Sequence, residues 1–171
     1  KQANKLKLSK YSAEEKFKLH NNYKHKYPFV GNVNFKIPNY IHDLSLFSVN
    51  DDVVAWELFW LGRYEELTTK IFIELAQKDN GFFYDIGSYT GYFSLIAAAY
   101  KKKVDAFEIT PRTSERLKIN TIVNGFKDKI NINNFGLSDK EAVCKLYLPR
   151  NVDFLGTGNS LLNEKKILDE I

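Results

Sequence analysis

Between residues 82 and 135, short apolar runs alternate with segments of helical length, and this alternation constrains the fold more than any other feature. Phe82–Ile86 is a compact apolar strand and Gly91–Tyr100 an Ala-rich apolar helix. Val104–Phe107 is a second strand. Thr113–Asn124 is a helix with Leu117 and Val123 turned inward and Gly125 as its stop, and Ile130–Phe135 is a third strand. Strands separated by helices imply crossover connections, a parallel sheet and helices packed on its faces. The predicted class is α/β, a Rossmann-like doubly wound sheet. A fourth strand is expected at Val143–Leu148, followed by a loop at Gly156-Thr-Gly158 and a polar helical tail. Only the front of such a sheet is expected in this chain.

Upstream of the alternation, Val53–Leu61 reads as a strand or short buried segment closed by Gly62. Tyr64–Lys78 reads as a helix, because Tyr64, Leu67, Ile71 and Leu75 recur at helical spacing and Asn80-Gly81 stops it. Residues 1–50 read as polar and irregular, with turn signals at Tyr27-Pro28, Gly31-Asn32 and Ile37-Pro38-Asn39. The division that follows is a basic N-terminal extension, 1–50, and a ligand-binding domain, 51–171.

Lys1, Lys5, Lys7, Lys10, Lys16, Lys18, Lys24, Lys26 and Lys36 face only Glu14 and Glu15 in that extension. Such an arm can touch nucleic acid or an anionic membrane. No nucleic-acid motif accompanies its tyrosines, so a solvated arm is the expectation. No apolar run approaches the roughly 20 residues needed to cross a bilayer. Cys144 is single, which excludes a disulfide framework within the chain and a cysteine metal cluster. With no signal-peptide pattern, a cytoplasmic setting is the default. The chain begins with Lys1 and contains no methionine, so its natural start is expected to be missing. Nothing in the sequence speaks against a homo-oligomer.

Open parallel sheets bind ligands beyond the carboxyl ends of their strands. The first such end carries Asp85-Ile-Gly-Ser-Tyr-Thr-Gly91. Gly87 permits a tight bend and a close ligand approach, and Gly91 lets the next helix pack near the strand. A dinucleotide loop would read Gly-x-Gly-x-x-Gly and seat a pyrophosphate. Here the spacing is Gly-x-x-x-Gly, and Asp85 would repel a diphosphate while suiting a cation. S-adenosylmethionine, with an ammonium, a sulfonium and no phosphate, matches that charge. Glu108 ends the second strand, placed to accept hydrogen bonds from ribose hydroxyls. Ile109 would pack on the adenine, and Gly136-Leu137-Ser138-Asp139 would line the far side of its pocket. Asp85 also has a plainer reading as a helix cap, and Glu108 as a partner for Lys103. Both acids at successive strand ends, with the glycines between them, favour the binding site.

These residues resemble the FkbM-type methyltransferases, S-adenosylmethionine-dependent enzymes that are mostly O-methyltransferases. The similarity runs from about Gly62 to Leu148. It covers Gly62-Arg-Tyr-Glu65, the loop Phe83–Ser94, Ala106-Phe-Glu-Ile-Thr-Pro111, Asn120 with Asn124-Gly125, and Leu137-Ser-Asp139. The resemblance implies a methyltransferase sheet in which Tyr64, Glu65, Asp85, Gly87, Ser88, Tyr89, Gly91, Glu108, Ile109, Leu137 and Ser138 hold the cofactor. It implies as acceptor a hydroxyl on a sugar, glycan or secondary metabolite. Two departures stand out. The family usually places a small residue and then Asn between the glycines, where this chain has Ser88 and Tyr89. Its Lys-x-Asp-x-Glu-Gly element is not found before Ile171.

The residues do not reveal a general base. His20, His25 and His42 all lie outside the predicted sheet, and His42-Asp43 is the one adjacent His–carboxylate pair. Trp56, Phe59 and Trp60 could floor an acceptor pocket, but ordinary core packing is the favoured reading. No His/Asp/Glu cluster has metal-ligand spacing. Three readings follow: an active O-methyltransferase, a binding or scaffold domain that keeps the fold without turnover, and, disfavoured by Asp85, a nucleotide-dependent oxidoreductase.

Overall fold

The computed structural model describes residues 11–78, 81–143, 145–146 and 155. Its elements in chain order are α1 (Ala13–Lys26), β1 (Gly31–Phe35), β2 (Leu44–Ser48), α2 (Val53–Leu61) and α3 (Glu66–Lys78). They continue as β3 (Phe82–Ile86), α4 (Tyr92–Ala99), β4 (Lys103–Phe107), α5 (Pro111–Val123) and β5 (Ile130–Asn133). Among the described residues no helix is long and apolar enough to cross a membrane.

The alternation does produce a parallel sheet, in the order β3-β4-β5, with Phe83 opposite Val104 and Val104 opposite Ile130. Right-handed crossovers in a sheet that grows in one direction put both connecting helices on one face. That face buries Val104, Ala106 and Ile130 against α4 and α5. Residues of α4 from Ser94 to Ala98 are essentially inaccessible, as a helix apolar on every side apart from Ser94 requires. On the opposite face Phe82, Tyr84 and Ile86 are exposed, and β3 pairs on one side only among the described residues.

The N-terminal region departs from its reading as irregular. β1 and β2 form an antiparallel hairpin with Gly31 opposite Ser48 and Phe35 opposite Leu44. Its inward face is Val33, Phe35, Leu44 and Leu46, a period-two pattern that the neighbouring turn signals obscured. These side chains join one hydrophobic cluster with Leu95, Ile96 and Leu117, so residues on both sides of position 50 share a core.

Val53–Leu61 is a helix rather than a strand. A run that is apolar all round has no period to read, and its ends decide the matter. Asp52 caps the N-terminus, its Oδ1 accepting from Val54 N at 2.9 Å and Ala55 N at 3.2 Å. Gly62 closes the other end in the left-handed region, φ 69°. In α3 the helix is as expected but its face is not. Ile73 and Ala76 point inward, and Phe72 packs on Phe83 and Phe93 with ring centroids 5.1 and 5.0 Å apart. Leu67, Ile71 and Leu75 are exposed, as is Val123 of α5. The strand expected over residues 143–148 lies mostly outside the described residues, as do the Gly156-Thr-Gly158 loop and the tail.

Candidate functional site

The loop after β3 is pinned to the end of β4. Gly87 N and Ser88 N both donate to Phe107 O, at 2.9 and 3.0 Å, and Gly91 N donates back to Ser88 O at 2.8 Å. Gly87, Tyr89 and Gly91 all have positive φ, 75°, 49° and 93°. For Tyr89 this conformation costs about 1–2 kcal/mol. Its ring compensates by packing half-buried in the core cluster, against the start of α2. Burial, followed by the charge of Asp52, pushes its hydroxyl pKa upward.

The two acids are differently employed. Gly91 and not Asp85 holds the N-cap position of α4. The Asp85 carboxylate still meets the first turn of that helix, its Oδ2 accepting from Ser94 Oγ at 2.5 Å and the carboxylate also drawing on the Ser94 amide. Burial raises its pKa, the Ser94 hydrogen bonds oppose the rise, and the negative charge of Glu108 adds to it. Glu108 does not pair with Lys103, whose Nζ instead donates to Asp128 O. Its carboxylate accepts from Tyr89 N at 3.0 Å through Oε2 and from Thr110 N at 2.8 Å through Oε1. Glu108 therefore braces two loops at once. Carboxylate oxygens each retain a second lone-pair site, which a ribose hydroxyl can use.

A cavity of about 500 Å³ opens at this point, within the size range of small-molecule sites. Tyr64, Glu65, Asp85, Gly87, Ser88, Tyr89, Glu108 and Ile109 line it, together with Val53, Val54, Ile86, Tyr92, Phe93 and Thr110. Gly91 lies beneath the loop, not in the lining. Leu137 and Ser138 are exposed and outside it. Their turn approaches the cavity only through Gly136, where an added Cβ would sit 2.9 Å from Ile109 Cδ1. Sequence reasoning missed Val53 and Val54 because their segment, read as a strand or short buried segment, was not placed at the strand ends. Tyr92 and Phe93 could have been found, since the first turn of a helix after such a loop faces the same crevice.

The lining contains three carboxylates, Glu65, Asp85 and Glu108, and no Lys, Arg or His. Four aromatic residues add to it, Tyr64, Tyr89, Tyr92 and Phe93, with Tyr64 edge-on to Tyr92 at 5.3 Å and Tyr92 edge-on to Phe93 at 5.2 Å. Beside the cavity, Ser88 Oγ is buried without a hydrogen-bond partner among the described residues. A somewhat larger depression of about 580 Å³ lies between α5 and β5, away from the strand ends that carry the acids. His42 is exposed on the segment between β1 and β2, edge-on to Tyr40, and does not line the cavity. Its neighbour Asp43 faces Lys36 at 3.8 Å. His20 and His25 fall on α1, with their side chains outside the described set.

No family model matches the chain. An uncharacterised protein of Methanocaldococcus jannaschii is 36% identical over 77 residues, 44% of this chain and 30% of that protein. A SAM-dependent methyltransferase from Agrobacterium tumefaciens superposes with a TM-score of 0.45 at 13% identity, over 64% of this chain and 34% of its own. An RNA methyltransferase from Salinibacter ruber, solved with S-adenosyl-L-homocysteine, gives a TM-score of 0.39 at 22% identity, over 43% of this chain and 50% of its own. The chain thus spans half or less of each of these three proteins.

Proposed function

We propose that this chain binds S-adenosylmethionine at the cavity beyond β3 and β4, as the cofactor-binding part of an O-methyltransferase. One observation carries the reading: the cavity wall presents three carboxylates and no cationic side chain among the described residues. A diphosphate would be repelled there, while an ammonium or sulfonium would relieve the mutual repulsion that helps to raise the Asp85 pKa. Tyr64, Tyr92 and Phe93 supply aromatic rings whose faces attract cations. Ser88 Oγ, buried in the lining without a partner, is a polar atom that a ligand can satisfy. The sequence elements shared with FkbM-type enzymes support the same cofactor and a hydroxyl acceptor on a sugar, glycan or secondary metabolite.

Asp85 would hold the cofactor's amino group and Glu108 its ribose, with Ile109 against the base. When bound, the cofactor supplies an electrophilic methyl group. The protein's part is to fix the loop, exclude water and align an acceptor oxygen with that methyl. A second reading, binding without turnover, draws on the lining itself: every ionisable group it offers apart from Glu65 and the tyrosines is committed to Ser94 or to backbone amides.

Titration calorimetry with S-adenosylhomocysteine, and with a nicotinamide dinucleotide as comparator, tests the binding. The chain is expected to bind the first and not the second; the reverse preference would overturn the proposal. Asp85→Asn keeps a partner for Ser94 but removes the charge, and is expected to weaken binding about tenfold or more. Affinity should also fall on acidification. A cation favours ionised Asp85, and the raised pKa places protonation of that carboxyl above the ordinary aspartate range. Methyl transfer to a hydroxyl acceptor, assayed separately, distinguishes the enzyme from the binding domain.

A further inference from the structure

One face of α5 is polar and buried. Arg116, Asn120 and Asn124 repeat at every fourth residue, so they form a single row along the helix. The row meets the free edge of β2 as a neighbouring strand would. Asn124 Oδ1 accepts from Ser45 N at 2.8 Å and its Nδ2 donates to Ser45 O at 2.7 Å. Asn120 Oδ1 accepts from Phe47 N at 2.7 Å, and Arg116 donates to Phe47 O at 3.3 Å. Asn120 differs from its neighbours in one respect. Its Nδ2 turns away from the hairpin and donates to Thr90 O at 2.8 Å, inside the loop of the candidate site. Only one orientation of the amide satisfies both a backbone donor and a backbone acceptor. The side chain has no solvent access, so no water can replace either bond.

We propose that Asn120 is a positioning residue for the cofactor loop, coupling it to the N-terminal hairpin; this rests on the S-adenosylmethionine reading of the site. Thr90 is held from below by Asn120, and Gly91 by contact with Leu117 one turn earlier on the same helix. Tyr89 and Ser88, which line the cavity, are the adjacent residues. The β1–β2 hairpin thereby becomes part of the unit that sets the loop's shape, although none of its residues lines the cavity.

Asn124 supplies the control, since it binds the same strand from the same helix without touching the loop. Removing either side chain strands buried backbone groups, so Asn120→Ala and Asn124→Ala should both lower the melting temperature. Only Asn120→Ala is expected to weaken S-adenosylhomocysteine binding about tenfold and to speed hydrogen exchange in a peptide spanning residues 87–91, with Asn124→Ala within about twofold of the parent chain on both readouts. Asn120→Asp retains the bond from Phe47 N but turns a carboxylate on the Thr90 carbonyl, so it should act in the same direction if the alanine variant does not fold. Equal effects of the two alanine variants on affinity, or unchanged exchange at 87–91 in the Asn120 variants, would overturn the coupling. Should the parent chain bind no S-adenosylhomocysteine, the functional reading fails, and the exchange comparison still decides the role of Asn120.

Discussion

Gly91→Ala is expected to destabilise the chain by about 3 kcal/mol, a large share of the 5–15 kcal/mol typical of a domain. Two independent terms contribute. The backbone at Gly91 has φ +93°, and left-handed conformations cost an L-residue about 1–2 kcal/mol. The new Cβ would also fall 2.3 Å from Leu117 Cδ1, and Leu117 is fully buried with no room to retreat. Overpacking of that kind costs about 1–3 kcal/mol. Gly87 separates the two terms, because its φ is +75° but nothing lies within 4 Å of the point an added Cβ would occupy. Gly87→Ala should therefore lose only the backbone part, about 1–2 kcal/mol. Urea denaturation of the two variants measures the difference directly. Equal losses would show that close packing of α5 under the loop does not make Gly91 necessary. The glycines thus serve different ends: Gly87 makes the bend, and Gly91 admits Leu117 of α5, a helix that the sequence had not placed there.

The central alternation was legible because each of its elements carries its own period and its own stop. β3, α4, β4, α5 and β5 were readable within one to three residues, as was the acid–glycine loop between the first strand and helix. The flanking elements were harder for specific physical reasons. α2 is apolar on every side, so Asp52 and Gly62 define it rather than any periodicity. α3 carries a second apolar stripe, Leu67, Ile71 and Leu75, which outcompetes its buried face on paper but is exposed in the fold. α5 misleads in the opposite sense. Beside Leu117, which meets the apolar layer, its buried residues are Arg116, Asn120 and neighbouring threonines, since it also faces the hydrogen-bonding edge of β2. Arg116 also chelates buried Asp51, at 2.9 and 3.3 Å, a contact across 65 residues that no local pattern reveals. The candidate site was readable where it depends on strand ends, at Asp85, Gly87 and Glu108. It was not readable where a different segment folds over it, at Val53 and Val54.

Asp52→Asn is expected to raise stability at neutral pH and to remove a pH dependence. Asp52 is 2% exposed, and burial pushes its pKa from 3.8 up to about 6, against the opposing pull of the Thr90 hydroxyl, the Ala55 and Val54 amides and Arg116. A folded-state pKa above the unfolded one means that the folded chain holds the proton more tightly. The stabilisation from this group is thus fully present below about pH 4 and is lost as pH rises through about 6. A shift of about two units corresponds to ~3 kcal/mol. Asparagine is always neutral, caps a helix about as well as aspartate, and so avoids burying a charge. Its amide would also present a donor to the Thr90 hydroxyl oxygen, which now faces the carboxylate. Denaturation at pH 4.5, 6 and 7.5 should show the variant the more stable by a few kcal/mol at the highest pH, with the gap closing as the pH falls. Asp85 titrates in the same sense in both proteins, so the difference between the two curves isolates Asp52. Parallel curves would mean that the Asp52 carboxylate finds compensation for its burial at the start of α2.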